Sequence, residues 1–266
     1  MNIRTNHDES PLAAVAQALC DARLERSTTD AGAHLNALQA ADDAYAVQRA
    51  VATHGALKLF ADRVPRHWKS GGANRDSAIT HAPLPDAGVW ASPANAGAWP
   101  FHVRLVEAEI ALRLGSEVTE PQASALTADS AHAFIDAMTV SIEIVDTRWQ
   151  QPLDEVPALL KLADMGVHGA LVLGDWVAYQ PGRDWGAQRC SIRIGGADAL
   201  MFTGTHSLGD PAWLLVEWLR DVTRWFGTVP AGTVVTTGNW VGMLTARAGD
   251  LVQAEFDGIG RASLQL

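Results

Sequence analysis

Residues 106–115, "VEAEIALRLG", carry Glu107 and Glu109 one residue apart inside an otherwise apolar run. On a helix, residues two apart face nearly opposite sides and cannot act together. On a strand they share a face, with α-carbons roughly 7 Å apart. The alternation favours the strand. Val106, Ala108, Ile110, Leu112 and Leu114 fall on one side, and Glu107, Glu109, Ala111 and Arg113 on the other. Two carboxylates on one strand face form either a solvated surface or two arms of a metal site.

A third carboxylate sharpens the choice. "AMTVSIEIVDTRW" is apolar on both faces of its alternation, so Glu143 sits where a charge is costly unless it is paired or bound to a cation. A salt bridge to Arg104, Arg113 or Arg148 is the structural explanation. A cage for a hard cation is the functional one, since oxygen ligands select Mg²⁺, Mn²⁺ or Ca²⁺ over Zn²⁺. Mg²⁺ would leave positions open to water and substrate, which is what Lewis-acid chemistry requires. Lys69, in "RHWKSGGANRD", stands in a strand-like piece before two glycines that admit a close neighbour. Beside a bound anion, such a lysine pairs with a carboxylate or moves a proton; elsewhere it is an exposed strand end. Other signals are weaker. No H-E-x-x-H, G-x-S-x-G, C-x-x-C or phosphate-loop pattern occurs, and His168 reads as a core histidine.

These residues need elements to hold them. The segment 11–25 reads as a helix capped by Ser10 and opened by Pro11, and a second helix spans about 43–54. From Pro65 the texture changes to short strands: 100–114, 138–146, 168–173, 189–194, 232–237 and 250–256, with a tight return at "DGIG". A short helix is expected near 153–163. A longer one lies in "GDPAWLLVEWLRDVTRWFG", capped by Asp210 and closed by Gly227, with Leu215, Trp218, Leu219, Val222 and Phe226 as its buried stripe. The steady rhythm of a parallel βαβ sheet is missing. The division expected is a helical N-terminal region, 1–64, and a β-rich catalytic domain, 65–266.

The chain has 266 residues and a net charge of −10, which argues against nucleic acid or an anionic membrane surface as partner. A small anionic substrate remains compatible, because a divalent ion reverses the local field. Two cysteines, Cys20 and Cys190, give no disulfide framework. The polar opening "MNIRTNHDESP" has no apolar signal core, and no apolar run is long enough to cross a bilayer. A soluble, cytoplasmic protein is expected.

Taken in order, "WKSGG", "EAEIALRLG", "IEIVDTRW", "HGALVLGD", "LGDPAWLLVEWL", "AGTVVTTG" and "AGDLVQAEFDGIG" resemble the 2-keto-4-pentenoate hydratase branch of the fumarylacetoacetate hydrolase superfamily, from about residue 43 to the end. The resemblance implies an α+β fold, a mixed β-sandwich or roll with helices around it, in homo-oligomers. It implies Mg²⁺ or Mn²⁺ held by Glu107, Glu109 and Glu143, chelating the 2-oxo-carboxylate end of a small substrate. Lys69 matches the family's site lysine, and Asp164 is implied as a second catalytic group. Lys69, Thr237 and Gly238 are implied as substrate-binding. The reaction implied is hydration of a 2-oxo-alkenoate or 2-hydroxy-dienoate, as in catabolism of aromatic-ring cleavage products. Related branches hydrolyse acylpyruvates, for which His81 or His168 would have to supply a base, or decarboxylate 2-oxo acids. A non-catalytic metal-binding homologue is the alternative of another class. Its motive is that Met165 and Val167 stand where the branch carries an amide and a hydroxyl. The stretch after Lys69 also departs from the pattern, leaving Asp76 or Asp86 to replace a lost carboxylate.

Overall fold

The structure is a computed structural model that describes residues 10–60 and 63–266; most of the polar opening segment lies outside them. The described chain forms two compact units. One comprises the described residues within 1–62 together with 147–167, and the other comprises 63–146 and 168–266. Where the sequence reading divides the chain into 1–64 and 65–266, residues 147–167 group with the helical unit.

In the helical unit, α1 (Pro11–Glu25) begins where Ser10 Oγ accepts the Ala13 amide at 3.2 Å, and it buries Val15, Ala16, Leu19, Cys20 and Ala22. The second helix, α2 (Ala41–Ala52), starts two residues earlier than its apolar period suggests. Asp43 accepts the amides of Gln39 and Ala40, supplying the cap that Ala40 lacks. The returning segment carries α3 (Ala158–Ala163), shorter than expected because Pro157 holds the preceding backbone extended. Gln48 Nε2 ties α2 to the Leu162 carbonyl at 2.6 Å. The unit ends in an unusual turn. Met165, Gly166 and Val167 all lie in the left-handed region, with φ of 50°, 62° and 54°.

The β-rich unit is an α+β arrangement of two large sheets, a two-stranded ribbon, one long helix and shorter helical segments. Five central strands concern the site: β1 (His67–Gly71), β2 (Leu105–Leu114), β3 (Ile135–Val145), β4 (His168–Leu173) and β5 (Val234–Asn239). Their order across the mixed sheet is β1-β5-β2-β3-β4, flanked by the short strands Thr80–Pro83 and Val89–Ala91. β1 runs parallel to β5, and each of the other central pairs is antiparallel. A second sheet, in the order Leu200–Thr203, Arg189–Ile194, Leu251–Phe256, Gly260–Gln265 and Ala94–Asn95, packs against it. Ile110, Ile142 and Ile144 meet Ile192, Val252, Phe256 and Leu264 in one core. The helix α4 (Leu215–Phe226) adds Leu215, Trp218, Leu219 and Val222 to that core. Asp210 accepts the Ala212 amide before α4, and Gly227 at φ 75° ends it, as the sequence predicts. Phe226, expected in the buried stripe, is 39% exposed at the last turn.

Candidate metal centre

Register places the chemistry. In the β2–β3 ladder Glu107 lies directly opposite Glu143, and Glu109 opposite Ser141. Directly opposed like charges destabilise a sheet pair unless something neutralises them. On the other edge of β2, Ala111 faces Thr236 of β5, and Thr236 in turn faces Lys69 of β1. Lys69, Thr236, Glu109, Glu107, Ser141 and Glu143 therefore share one face across four neighbouring strands.

A bulge refines this face. Between Thr236 and Asn239 the β5 strand holds one residue more than β2 opposite it. Gly238 absorbs the irregularity at φ 109°, a conformation that side chains resist. Its amide leaves the ladder and donates to Glu109 Oε2 at 3.1 Å. The Thr236 hydroxyl donates to the same oxygen, and Ser141 and Thr236 bond each other at 2.9 Å. Asn239 Nδ2 donates to Glu107 Oε1 at 2.9 Å. Glu143 Oε1 accepts from Lys69 Nζ at 2.7 Å and from His168 Nδ1 at 3.0 Å. The two donors to Glu109 thus share one oxygen, as do the two donors to Glu143.

Ligand atoms of Glu107, Glu109 and Glu143 lie within 4.8 Å of one another, the one such acidic or His/Cys group among the described residues. Glu143 is fully buried and Glu109 is 3% exposed. Burial drives the Glu109 carboxyl up to about 8, and Glu143 and Glu107 push the same way against Lys69 and the Thr236 bond. Burial likewise raises Glu107 to about 7, with Lys69 opposing and Glu143 adding. Glu143 goes the other way: burial would raise it, but Lys69 and His168 outweigh that and hold it below its ordinary value. Burial disfavours the Lys69 ammonium too, yet the carboxylates of Glu143, Glu107 and Glu109 raise its pKa overall. When all three acids ionise, as a bound cation would favour, they outnumber the one lysine they face and leave an excess of negative charge. Glu143 Oε2 is buried with no hydrogen-bond partner, a costly state for a carboxylate oxygen without a cation. An all-oxygen donor set with this charge fits a hard divalent ion.

The arginine explanation for Glu143 gives way to Lys69. Arg113 instead binds Asp136, and Arg104 stacks over Phe101. Thr237, expected at the substrate, turns its hydroxyl to the Ile110 carbonyl at 2.7 Å, while Thr236 reaches Glu109. Asp164 belongs to the helical unit. There its carboxylate accepts Arg148 N at 2.9 Å, Arg148 Nε at 2.7 Å and Arg23 Nη2 at 3.1 Å. His81 is buried beside Trp225, with Nε2 3.5 Å from Asp221, and burial lowers it to about 4. Asp86 binds His67 at 2.8 Å, and the Asp76 amide turns to Asn74. Ser141 and Asn239 belong to the centre and escaped the sequence reading. Thr139, Ser141 and Glu143 do form a polar alternation in an apolar strand, a signal that was legible for Ser141.

The chain is 31% identical over 169 residues to 2-keto-4-pentenoate hydratase 1 of Dechloromonas aromatica, a match spanning 59% of this chain and 58% of that protein. Less than two thirds of that relative is therefore covered. The fold is shared with 4-oxalocrotonate decarboxylase from Pseudomonas putida G7 complexed with magnesium and adipate, at TM-score 0.80, 18% identity and 97% coverage of both chains. It is shared less completely with fumarylpyruvate hydrolase from Pseudomonas aeruginosa in complex with Mn²⁺ and pyruvate. That match has TM-score 0.54 and 15% identity, covering 77% of this chain and 91% of that one. The profile described as fumarylacetoacetate (FAA) hydrolase C-terminal matches residues 68–266, which include every residue of the centre. The chain belongs to the fumarylacetoacetate hydrolase family.

Proposed function

We propose that this protein is a metal-dependent lyase that adds water to a small 2-oxo-alkenoate or its 2-hydroxy-dienoate form. The observation that carries the reading is the convergence of Glu107, Glu109 and Glu143 beside Lys69, with Glu143 Oε2 buried and unbonded. The hydratase relative supports the reaction class, and fold neighbours complexed with magnesium, calcium or Mn²⁺ support a divalent ion. Glu107, Glu109 and Glu143 would hold Mg²⁺ or Mn²⁺. When bound, the ion supplies Lewis-acid polarisation of a 2-oxo group and offsets the charge that develops on its oxygen.

The chain's own groups supply the rest. Lys69 is kept as an ammonium by the carboxylates around it, and its side chain is 22% exposed. It offers N–H donors to a substrate carboxylate and can deliver a proton from Nζ. Thr236 and the Gly238 amide fix Glu109, and Asn239 fixes Glu107, so that the acid cluster keeps its shape before substrate arrives. Ring-cleavage products of aromatic catabolism are the substrate class this reading favours, and a homo-oligomer is the assembly it carries over from the resemblance. Decarboxylation of an oxo-diacid is the second reading, since the 97% overlap in fold is with an oxalocrotonate decarboxylase.

The test is calorimetric titration of Mg²⁺ and Mn²⁺, with and without oxalate as a mimic of an enolised 2-oxo acid, followed by turnover of a 2-oxo-acid panel with product analysis. The expected result is metal binding strengthened by oxalate, and turnover abolished by Lys69→Ala. Binding with no oxalate coupling and no turnover would replace the lyase by a non-catalytic metal protein. Absence of binding would remove the metal centre.

A further inference from the structure

His168 opens β4 and is 3% exposed. A carboxylate only accepts, so Nδ1 carries the proton in its 3.0 Å bond to Glu143 Oε1. Lys69 donates to that same oxygen at 2.7 Å. The two donors come from opposite directions across the sheet: β4 adjoins β3 on one side, whereas β1 lies beyond β2 and β5 on the other. Glu143 cannot turn about its terminal torsion without breaking a buried, charge-assisted bond, which is a strong one. Oε2 is left buried and without a hydrogen-bond partner.

We infer that His168 is a positioning residue that restricts Glu143 to presenting one oxygen to the cation and thereby favours Mg²⁺ over Ca²⁺. Mg²⁺ demands near-octahedral geometry with one oxygen per ligand, whereas Ca²⁺ accepts two oxygens of one carboxylate and tolerates irregular shells. A Glu143 released from His168 could swing both oxygens toward a larger ion. The inference rests on the metal-centre reading above and adds to it the origin of the ion preference.

Two variants separate this role from simple packing. His168→Leu removes the donor and keeps bulk, while His168→Asn places an amide N–H near the position of Nδ1. The 266-residue chain, its variants and Glu109→Gln as a site control are titrated with MgCl₂ and CaCl₂ by calorimetry. Melting temperatures are measured in chelator. His168→Leu is expected to weaken Mg²⁺ by about 10- to 100-fold, the usual effect of losing a partner behind a ligand. Ca²⁺ should weaken less, so that the Mg²⁺/Ca²⁺ affinity ratio falls about tenfold, and His168→Asn should restore most of it. Equal weakening of both ions with a lower metal-free melting temperature would overturn the inference in favour of a structural histidine. Unchanged affinities in His168→Leu would also overturn it while leaving the metal centre intact. Failure of the unmodified protein to bind either ion would overturn both.

Discussion

Glu109 has two reasons to keep its proton, burial and the neighbouring carboxylates, and both bear on stability. Its carboxyl in the folded chain lies at about 8 and that of Glu107 at about 7, against an ordinary 4.5. The folded state therefore holds protons that the unfolded chain releases. The stability this confers is fully present below pH 4.5 and is lost as pH rises through 7 to 8. His81, lowered to about 4 from 6.5, acts with the opposite sign on the acid side. The clean window is thus pH 6.5 to 9. Melting temperature in chelator should fall across it, and saturating Mg²⁺ should flatten the slope, because the ion replaces the protons. A metal-free protein whose stability is flat over that window would show that the carboxylates are not crowded in solution. Glu109→Gln removes one charge and keeps an acceptor for Thr236. At pH 8 in chelator it should stabilise the protein by roughly 0.5–2 kcal/mol, while abolishing the response to Mg²⁺. A destabilised variant would mean that Glu109 serves the fold rather than an ion.

At the level of elements, the sequence disclosed strands better than their partners. The period-two alternation of 105–114 and the doubly apolar run near Glu143 yield β2 and β3, and Lys69 falls on β1 as its flanking glycines suggest. Register is invisible in one sequence. Nothing local in "TTGN" reveals that Gly238 sits in a bulge, or that Asn239 meets a glutamate 132 positions away. Adjacent residues on a strand differ by the face they take, and here the bulge decides that Thr236 reaches Glu109 while Thr237 turns to the Ile110 carbonyl. The turn at Met165–Val167 was equally hidden. Two of its three left-handed residues carry side chains that disfavour the conformation, and Val167 is β-branched. Val167→Asn should therefore stabilise the protein by roughly 1 kcal/mol in urea denaturation, since asparagine tolerates that conformation. Destabilisation by the variant would mean that the packing of the half-buried valine outweighs its backbone strain.

For the whole molecule, a net charge of −10 makes an acid-rich centre costlier, because the remaining surface does not neutralise it. A divalent ion that binds only the folded chain stabilises by mass action, about 2.7 kcal/mol at a hundredfold excess over Kd. For a chain of this length that corresponds to a rise of roughly 5–10 °C in melting temperature. All six residues of the centre's shared face lie in the unit formed by 63–146 and 168–266, whereas Val167 and the Asp164–Arg148 pair lie in the other. The two perturbations can then be read separately in one calorimetric trace. Mg²⁺ should move the transition of the β-rich unit, and Val167→Asn that of the helical unit. If the chain melts in a single transition, both should move it, and additive effects would mean that the peptide link from Val167 to His168 carries no coupling to the centre. Effects that fall well short of their sum would instead show that the strained turn and the cation act on a common element, making the ion's hold on the centre sensitive to the residue preceding His168.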